Sequence, residues 1–318
     1  MTETMPRVEL VPPDIAAYRN GNVGVDWVWR WTAAAPGPHV AVVAAVHGNE
    51  LCGPIVVDRL HRLGIRPARG TLTLALANAA AYLSFDAQRP TASRFLDEDM
   101  NRVWDPAVLD GPRRTAERVR ARALRPLLAE ADALLDLHSM LHEGDPLILS
   151  GPTARGAALA RAIGLPAWVV ADAGHAAGLR LIDMPPFGDP DAAQTAILVE
   201  CGQHWRRATA AVALEATIRF LAHFGIVDSA VFAAHRPAPG PQAAGGFVRV
   251  TDVVTVRTDR FRFAPDAHGM SVVPRAGTVI AWDGDDAVRT PYDDCVLVMP
   301  SRRARAGQTA VRLGRREP

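Results

Sequence analysis

The stretch Val40-Ala41-Val42-Val43-Ala44-Ala45-Val46-His47-Gly48-Asn49-Glu50 decides how this chain reads. Seven apolar residues in succession suit a strand buried on both faces. They run straight into a polar turn with His47 and Glu50 three residues apart, close enough for both side chains to reach one ion. Two later segments repeat this pattern of an apolar run ending in a polar group: 133–137 leads to His138, and 196–199 leads to Glu200. Open α/β sheets place their sites at the carboxyl ends of strands, so all four groups are expected at one end of one sheet.

His47, Glu50 and His138 supply three protein ligands for zinc and leave a fourth position for water, the pattern of catalytic rather than structural sites. The chain between Glu50 and His138 is long enough for two crossover units, so the second His can return on another strand. An isolated His-x-x-Glu is weak, and a His after a strand is ordinarily a hydrogen-bonded structural residue. The zinc reading rests on the motifs occurring together, in order, with a further carboxylate at hand. Asp136, two residues before His138, points to the same side of its strand and can orient a ligand; a plain structural carboxylate is an equal reading.

A chain of 318 residues, 49% of them apolar, can build a large core plus a smaller unit. The formal charge of +1 provides no general attraction to nucleic acid or to acidic membranes. All 35 basic residues are Arg, so an Arg in any given loop is a weak signal. Cys52, Cys201 and Cys295 are odd in number and widely spaced, which indicates neither a disulfide framework nor a cysteine zinc site and fits a reducing cytosol. Cys52 and Cys201, beside the candidate site, read as buried packing residues. The start of the chain is unlike a signal peptide, and no apolar run approaches the ~20 residues of a membrane span.

Alternation over 25–31 predicts a strand, and Pro36-Gly37-Pro38 a turn, so an antiparallel pair is expected to open the sheet. Helices are predicted over 53–63, 116–129, 154–163 and 206–224, with strands over 71–77, 147–149 and 167–170 besides those ending at Leu137 and Glu200. This alternation argues for a mostly parallel or mixed sheet covered on both faces. The segment 237–241 and Gly245-Gly246 read as a linker. Strand-like runs over 247–256, 271–273, 278–282 and 296–299 then suggest a small all-β domain. The expected division is 1–226 and 227–318, and the tail from Ser301, with six Arg, is expected to be a solvated end. Two polar stretches, 78–104 and 172–194 with His175, are longer than mere connections and are functional candidates.

Taken together, His47-Gly48-Asn49-Glu50, Arg94 with Asp99-Met100-Asn101-Arg102 eight residues on, Asp136-Leu137-His138-Ser139 and Val199-Glu200 resemble the succinylglutamate desuccinylase/aspartoacylase family, within the zinc carboxypeptidase superfamily. The resemblance spans roughly 20–225. It implies a carboxypeptidase-like α/β domain followed by a small β domain that helps close the pocket, and hydrolysis of the amide of an N-acylated acidic amino acid. By matching motif it implies one Zn2+ on His47, Glu50 and His138, Glu200 as general base and acid, Arg94 facing the oxyanion, and Asn101 and Arg102 on a substrate carboxylate. Arg180 and Tyr292 are candidates for the further substrate contacts such proteins take from the loop before the base and from the C-terminal part, though neither lies in an alignable motif. His204 is a polar group near the site with no assigned role.

The expected protein is therefore a cytoplasmic zinc amidohydrolase acting on a small N-acyl amino acid, without nucleic-acid or membrane partners, its self-association open. A metallocarboxypeptidase needs the same zinc, base and Arg, but the compact interval from Glu50 to His138 offers little for an extended peptide cleft. A non-catalytic zinc-binding sensor is the other rival, and Glu200, whose loss would be its simplest mark, is present.

Overall fold

The computed structural model describes residues 6–174, 177–236 and 245–317, so His175 and the linker at 237–241 lie outside the described residues. Seven strands come first: β1 (Val28–Thr32), β2 (His39–Ala44), β3 (Thr71–Leu76), β4 (Ala133–Met140), β5 (Leu147–Leu149), β6 (Trp168–Ala171) and β7 (Thr195–Gln203). Six helices intervene or follow: α1 (Cys52–Arg62), α2 (Ala79–Leu83), α3 (Pro106–Asp110), α4 (Ala116–Ala129), α5 (Ala154–Ile163) and α6 (Arg207–His223). The C-terminal strands are β8 (Gly246–Thr255), β9 (Phe261–Phe263), β10 (Val272–Val273), β11 (Val279–Asp283), β12 (Asp286–Arg289), β13 (Cys295–Val298) and β14 (Thr309–Glu317).

Eleven strands form one mixed sheet in the order β1-β3-β2-β4-β7-β5-β6-β8-β14-β13-β10, and β12-β11-β9 form a small antiparallel sheet. Strands β3, β2, β4 and β7 are mutually parallel, as their double-sided apolar composition requires. Side chains alternate across the sheet. Val40, Val42, Leu135, Leu137, Ile197 and Val199 pack under α1, α5 and α6, while Ala41, Val43, Leu134, Ala196 and Leu198 pack under α4. Helices therefore cover both faces. Thr115 caps α4 by accepting the Arg118 N–H, Thr153 caps α5 by accepting the Gly156 N–H, and Gly164 ends α5 in the left-handed region at φ 62°.

Three expectations are corrected. First, β1 pairs antiparallel with β3 rather than with β2. The connection from β1 to β2 passes over the start of β3, where Ala33 N–H donates to Gly70 O and Gly70 N–H to Ala35 O. Only glycine fits there: Gly70 has φ +64°, and a Cβ would lie 2.1 Å from Pro38 O. Second, the strand expected from Val25 begins at Val28, because Trp27 takes φ 56°. Val28 is the buried residue, with Trp29 and Trp31 half-buried on the other face. The outer edge of β1 is blunted by Asn22, whose side-chain amide donates to Arg30 O and accepts from Arg30 N–H, both at 2.7 Å.

Third, the Arg-rich tail is not a solvated end. Its last part is β14, which lies between β8 and β13 with Ala310 through Leu313 buried. The period-two apolar signal of Val311 and Leu313 is diluted by the flanking arginines, and it becomes a strand only with partners on both sides. Because β8 runs parallel to β6, the C-terminal strands extend the main sheet. Among the described residues no helix is long and apolar enough to cross a membrane.

The crossing at Gly70 yields a direct check. Gly70→Ala, which must strain φ and push Pro38 away, is expected to lower unfolding stability by about 2 kcal/mol or more, read as a fall in the urea midpoint at unchanged slope.

Candidate metal centre

The turn after β2 is held in place before its chemistry is considered. Gly48 packs so closely that a Cβ would sit 2.3 Å from Ala81 C and 2.5 Å from Ser93 O, and its N–H donates to Arg94 O at 3.0 Å. Buried Trp205 donates its indole N–H to Asn49 O at 3.1 Å. His47 and Glu50 thus leave the end of β2 in fixed directions. On the next strand, Asp136 and His138 share the α4 side of β4, and Glu200 stands beside His138 as its registered partner on β7.

The ligand atoms converge. One atom each from His47, Glu50 and His138 lie within 4.8 Å of one another, and all three residues are buried. His47 Nδ1 is 2.7 Å from Glu50 Oε1, and His138 Nδ1 is 3.1 Å from Glu50 Oε2. The outward nitrogens face carboxylates: His47 Nε2 lies 2.9 Å from Asp99 Oδ1, and His138 Nε2 lies 2.9 Å from Asp136 Oδ2. A proton on His138 Nε2 toward Asp136 leaves its Nδ1 lone pair facing the cluster, the tautomer a metal ligand needs, while His47 Nε2 faces both Asp99 Oδ1 and, at 3.0 Å, the donor Nη2 of Arg94. Glu50 Oε2 also accepts the Ser139 N–H at 2.8 Å.

Burial alone would raise the Glu50 carboxyl, but the His47 and His138 rings hold it well below the usual carboxylate range. Burial would likewise lower the His138 imidazole, yet Asp136 and Glu50 hold it well above its ordinary value. An ion seated here must displace that proton, which is how a site built for a cation couples metal binding to proton release. Asp99, opposed by burial, is held well below the carboxylate range by His47 and Arg94. Glu200 moves the other way. Burial first, then the negative charge of Glu50, push it up to about 8. Its Oε2 is buried with no hydrogen-bond partner among the described residues.

Arg94 joins the cluster, with Nη1 donating to Glu50 Oε1 at 3.3 Å and Nη2 to Asp99 Oδ2 at 3.3 Å, and its side chain is 35% exposed. It therefore stands between the ligand atoms and solvent. Asn101 is buried and accepts the Leu181 N–H on Oδ1 at 2.9 Å, tying the 178–181 loop to the 101–104 segment. Arg102 donates to Asn101 O at 2.6 Å, and burial, opposed by attraction from Asp99 and joined by repulsion from Arg94, Arg180 and Arg312, brings it down to about 10.

Arg180 and Tyr292 are each engaged by other side chains. Arg180 is buried, its guanidinium bonded to Asp172 at 2.6 and 3.1 Å and to Asp183 at 2.6 and 3.0 Å. Tyr292 bonds Thr251 and lies under the Arg315 guanidinium, within the C-terminal strands. Cys52 and Cys201 are buried free thiols in the core beneath α1 and α6. His204 is buried, its Nδ1 2.8 Å from Ser139 Oγ, and burial pushes it down to about 3.

Three residues of this environment carried no role in the sequence reading. Asp99 lies in the functional-candidate stretch 78–104 and Ser139 in the motif with His138, each without a role of its own. Arg312 comes from the supposed solvated tail, and its Nε lies 3.2 Å from Asp172 Oδ2 beside the Arg180 cluster. Only the motif spacing around Asp99 offered a signal.

The family model for the succinylglutamate desuccinylase/aspartoacylase catalytic domain matches residues 36–224. Among solved structures, succinylglutamate desuccinylase from Vibrio parahaemolyticus superposes with a TM-score of 0.68 at 16% identity, covering 92% of this chain and 87% of that one. A succinylglutamate desuccinylase/aspartoacylase from Rhodobacter sphaeroides gives 0.64 at 21% identity, covering 92% and 89%. The product-bound ectoine utilization protein EutE from Ruegeria pomeroyi gives 0.60 at 18%, covering 90% and 87%. No curated protein matches the chain.

Removing the carboxylate behind His138 should loosen the cluster. Asp136→Asn is expected to weaken divalent-metal binding ~10–100-fold, measured by competition with a chromophoric chelator. A second check uses pH. In protein stripped of metal, the proton on Glu200 stabilises the fold fully below its ordinary value of 4.5, and that contribution is lost as pH rises toward about 8. Glu200→Gln removes this loss, so the difference in thermal midpoint should move in the variant's favour across that window. A difference that stays constant would contradict the raised pKa.

Proposed function

The chain belongs to the succinylglutamate desuccinylase/aspartoacylase family, and from that premise we propose that it is a zinc-dependent amidohydrolase that splits a small N-acyl amino acid, such as an N-succinyl or N-acetyl acidic amino acid, into amine and carboxylic acid. The observation that carries this reading is Glu200. A buried carboxyl held up to about 8, one oxygen without a partner among the described residues, lies in register with His138. A structural carboxylate in that position would be expected to have an arginine or backbone N–H on each oxygen.

In this reading His47, Glu50 and His138 would hold a zinc ion, which would supply a Lewis acid for the amide carbonyl and lower the pKa of a water beside it. Glu200, held up by burial and by the charge of Glu50, would ionise more readily with that charge neutralised. It then takes a proton from the attacking water and delivers it to the departing amine nitrogen. Arg94, fixed beside Glu50 and partly exposed, faces the oxygen on which negative charge develops. Arg102, its burial compensated only in part, takes a substrate carboxylate with its guanidinium fork, beside Asn101.

The proposal keeps the division at 226/227, with 227–318 helping to close the pocket. Its support is Arg312 on β14, buried against Asp172 and within electrostatic reach of Glu200. Arg180 and Tyr292 are proposed for further substrate contacts, from the loop before β7 and from the C-terminal part; Arg180 shares Asp172 with Arg312, and Tyr292 packs under Arg315. A cytoplasmic setting agrees with the three free thiols.

The test is release of free amine from a panel of N-acetyl, N-succinyl and N-formyl amino acids by the zinc-loaded protein. Glu200→Gln should lower kcat by ~10²–10⁴ with zinc still bound. Arg94→Ala should lower kcat ~10²–10³-fold with a smaller change in KM. Silence across the panel, with trimming of peptides seen by mass spectrometry, would replace this reading with a carboxypeptidase.

A further inference from the structure

We infer that Glu117 is a positioning residue for the metal cluster: from the first turn of α4 it holds the 94–99 loop, and through Asp99 and Arg94 it sets the orientation of His47. The inference rests on the metal-ligand reading of His47, Glu50 and His138 but not on the amide chemistry proposed for them.

Glu117 is fully buried, an uncommon setting for a carboxylate. Four donors meet its two oxygens. Oε1 accepts the Leu96 N–H at 2.7 Å and the Asn78 side-chain amide at 3.1 Å; Oε2 accepts the Asp97 N–H at 3.1 Å and the Glu98 N–H at 3.2 Å. Three consecutive backbone N–H groups therefore wrap one carboxylate. The loop returns the contact, with Asp97 Oδ2 accepting the Ala116 N–H at 2.7 Å and Glu98 accepting from the Thr115 hydroxyl at 2.6 Å and from Arg118 at 2.8 and 3.0 Å. Loop and helix start each satisfy the other's polar groups. A loop of this composition would otherwise be solvated and variable in position.

What the clamp holds decides its role. Arg94, two residues before Leu96, reaches Glu50 Oε1, and its carbonyl accepts from the ligand-bearing turn at Gly48. Asp99, one residue after Glu98, faces His47 Nε2. Both ends of the clamped segment thus touch the ligand set, while Glu117 touches no ligand. Asn78, at the end of β3, ties the clamp to the sheet itself. A loop that only covered the core would need neither terminal contact.

The experiment measures zinc affinity of the full chain by competition with a chromophoric chelator, with thermal unfolding as a check on folding. Glu117→Gln keeps the shape but turns one acceptor oxygen into a donor against the loop N–H groups. It is expected to weaken zinc binding ~10-fold, near the lower end of the loss expected for a group supporting a ligand. Asp99→Asn should weaken it by at least as much, and in the double variant Glu117→Gln should cost less than it does alone, since part of its effect passes through Asp99. Should Glu117→Gln fail to fold, Glu117→Asp, which keeps the charge but withdraws it from the loop, carries the same comparison. Zinc affinity unchanged in a folded variant, or losses that multiply in the double variant, would overturn the inference. No substrate is involved, so failure of the amine-release panel leaves this result standing.

Discussion

Buried charge governs this molecule. His47, Glu50, Asp136, His138 and Glu200 are all withdrawn from water at the ends of three adjacent parallel strands. Isolated charges in such a place are too costly to persist. The network persists because each group faces an opposite: Glu50 between two imidazoles, each imidazole between Glu50 and an outer carboxylate, Asp99 against Arg94. Glu200 is the exception. Lacking such a partner on one oxygen, it answers by holding its proton to about 8. A buried His-Glu-His cluster balanced in this way is consistent with a metal ion.

The parallel register makes this possible. One strand, β4, places Asp136 and His138 on the same face, and pairing with β7 sets Glu200 across from His138, while β2 on the other side delivers the His47 turn. Everything else is a matter of holding loops against that frame. Gly48 lets the turn approach α2, Trp205 pins its carbonyl, and Glu117 fixes the loop that brings Arg94 and Asp99. Arg180, Asp172, Asp183 and Arg312 form a separate buried ion cluster linking the loop before β7 to the C-terminal strands.

Much of this was readable from residues alone. The helices at 116–129 and 154–163 and the strand at 147–149 are found at those bounds, because Thr115, Thr153 and Gly164 mark ends that local chemistry sets. Short strands with mixed composition were not readable. Strand β14 hides among arginines, β9 and β12 carry too few residues for a period, and β1 finds β3 rather than its sequence neighbour because a glycine far down the chain permits the crossing.

By itself the sequence determined the alternating α/β architecture and the ligand motifs, since apolar runs of strand length ending in His or Glu leave few other readings for a chain of this apolar content. Only the tertiary structure decided that Asp99 stands behind His47, that Arg180 bonds Asp172 and Asp183, and that Arg312 of the tail turns inward. The reason is physical. Motifs and helix ends are set by neighbours along the chain, whereas the partner of a buried charge is set by whichever distant group folding brings within about 3 Å, a distance that hydrogen bonding imposes and spacing in sequence does not encode.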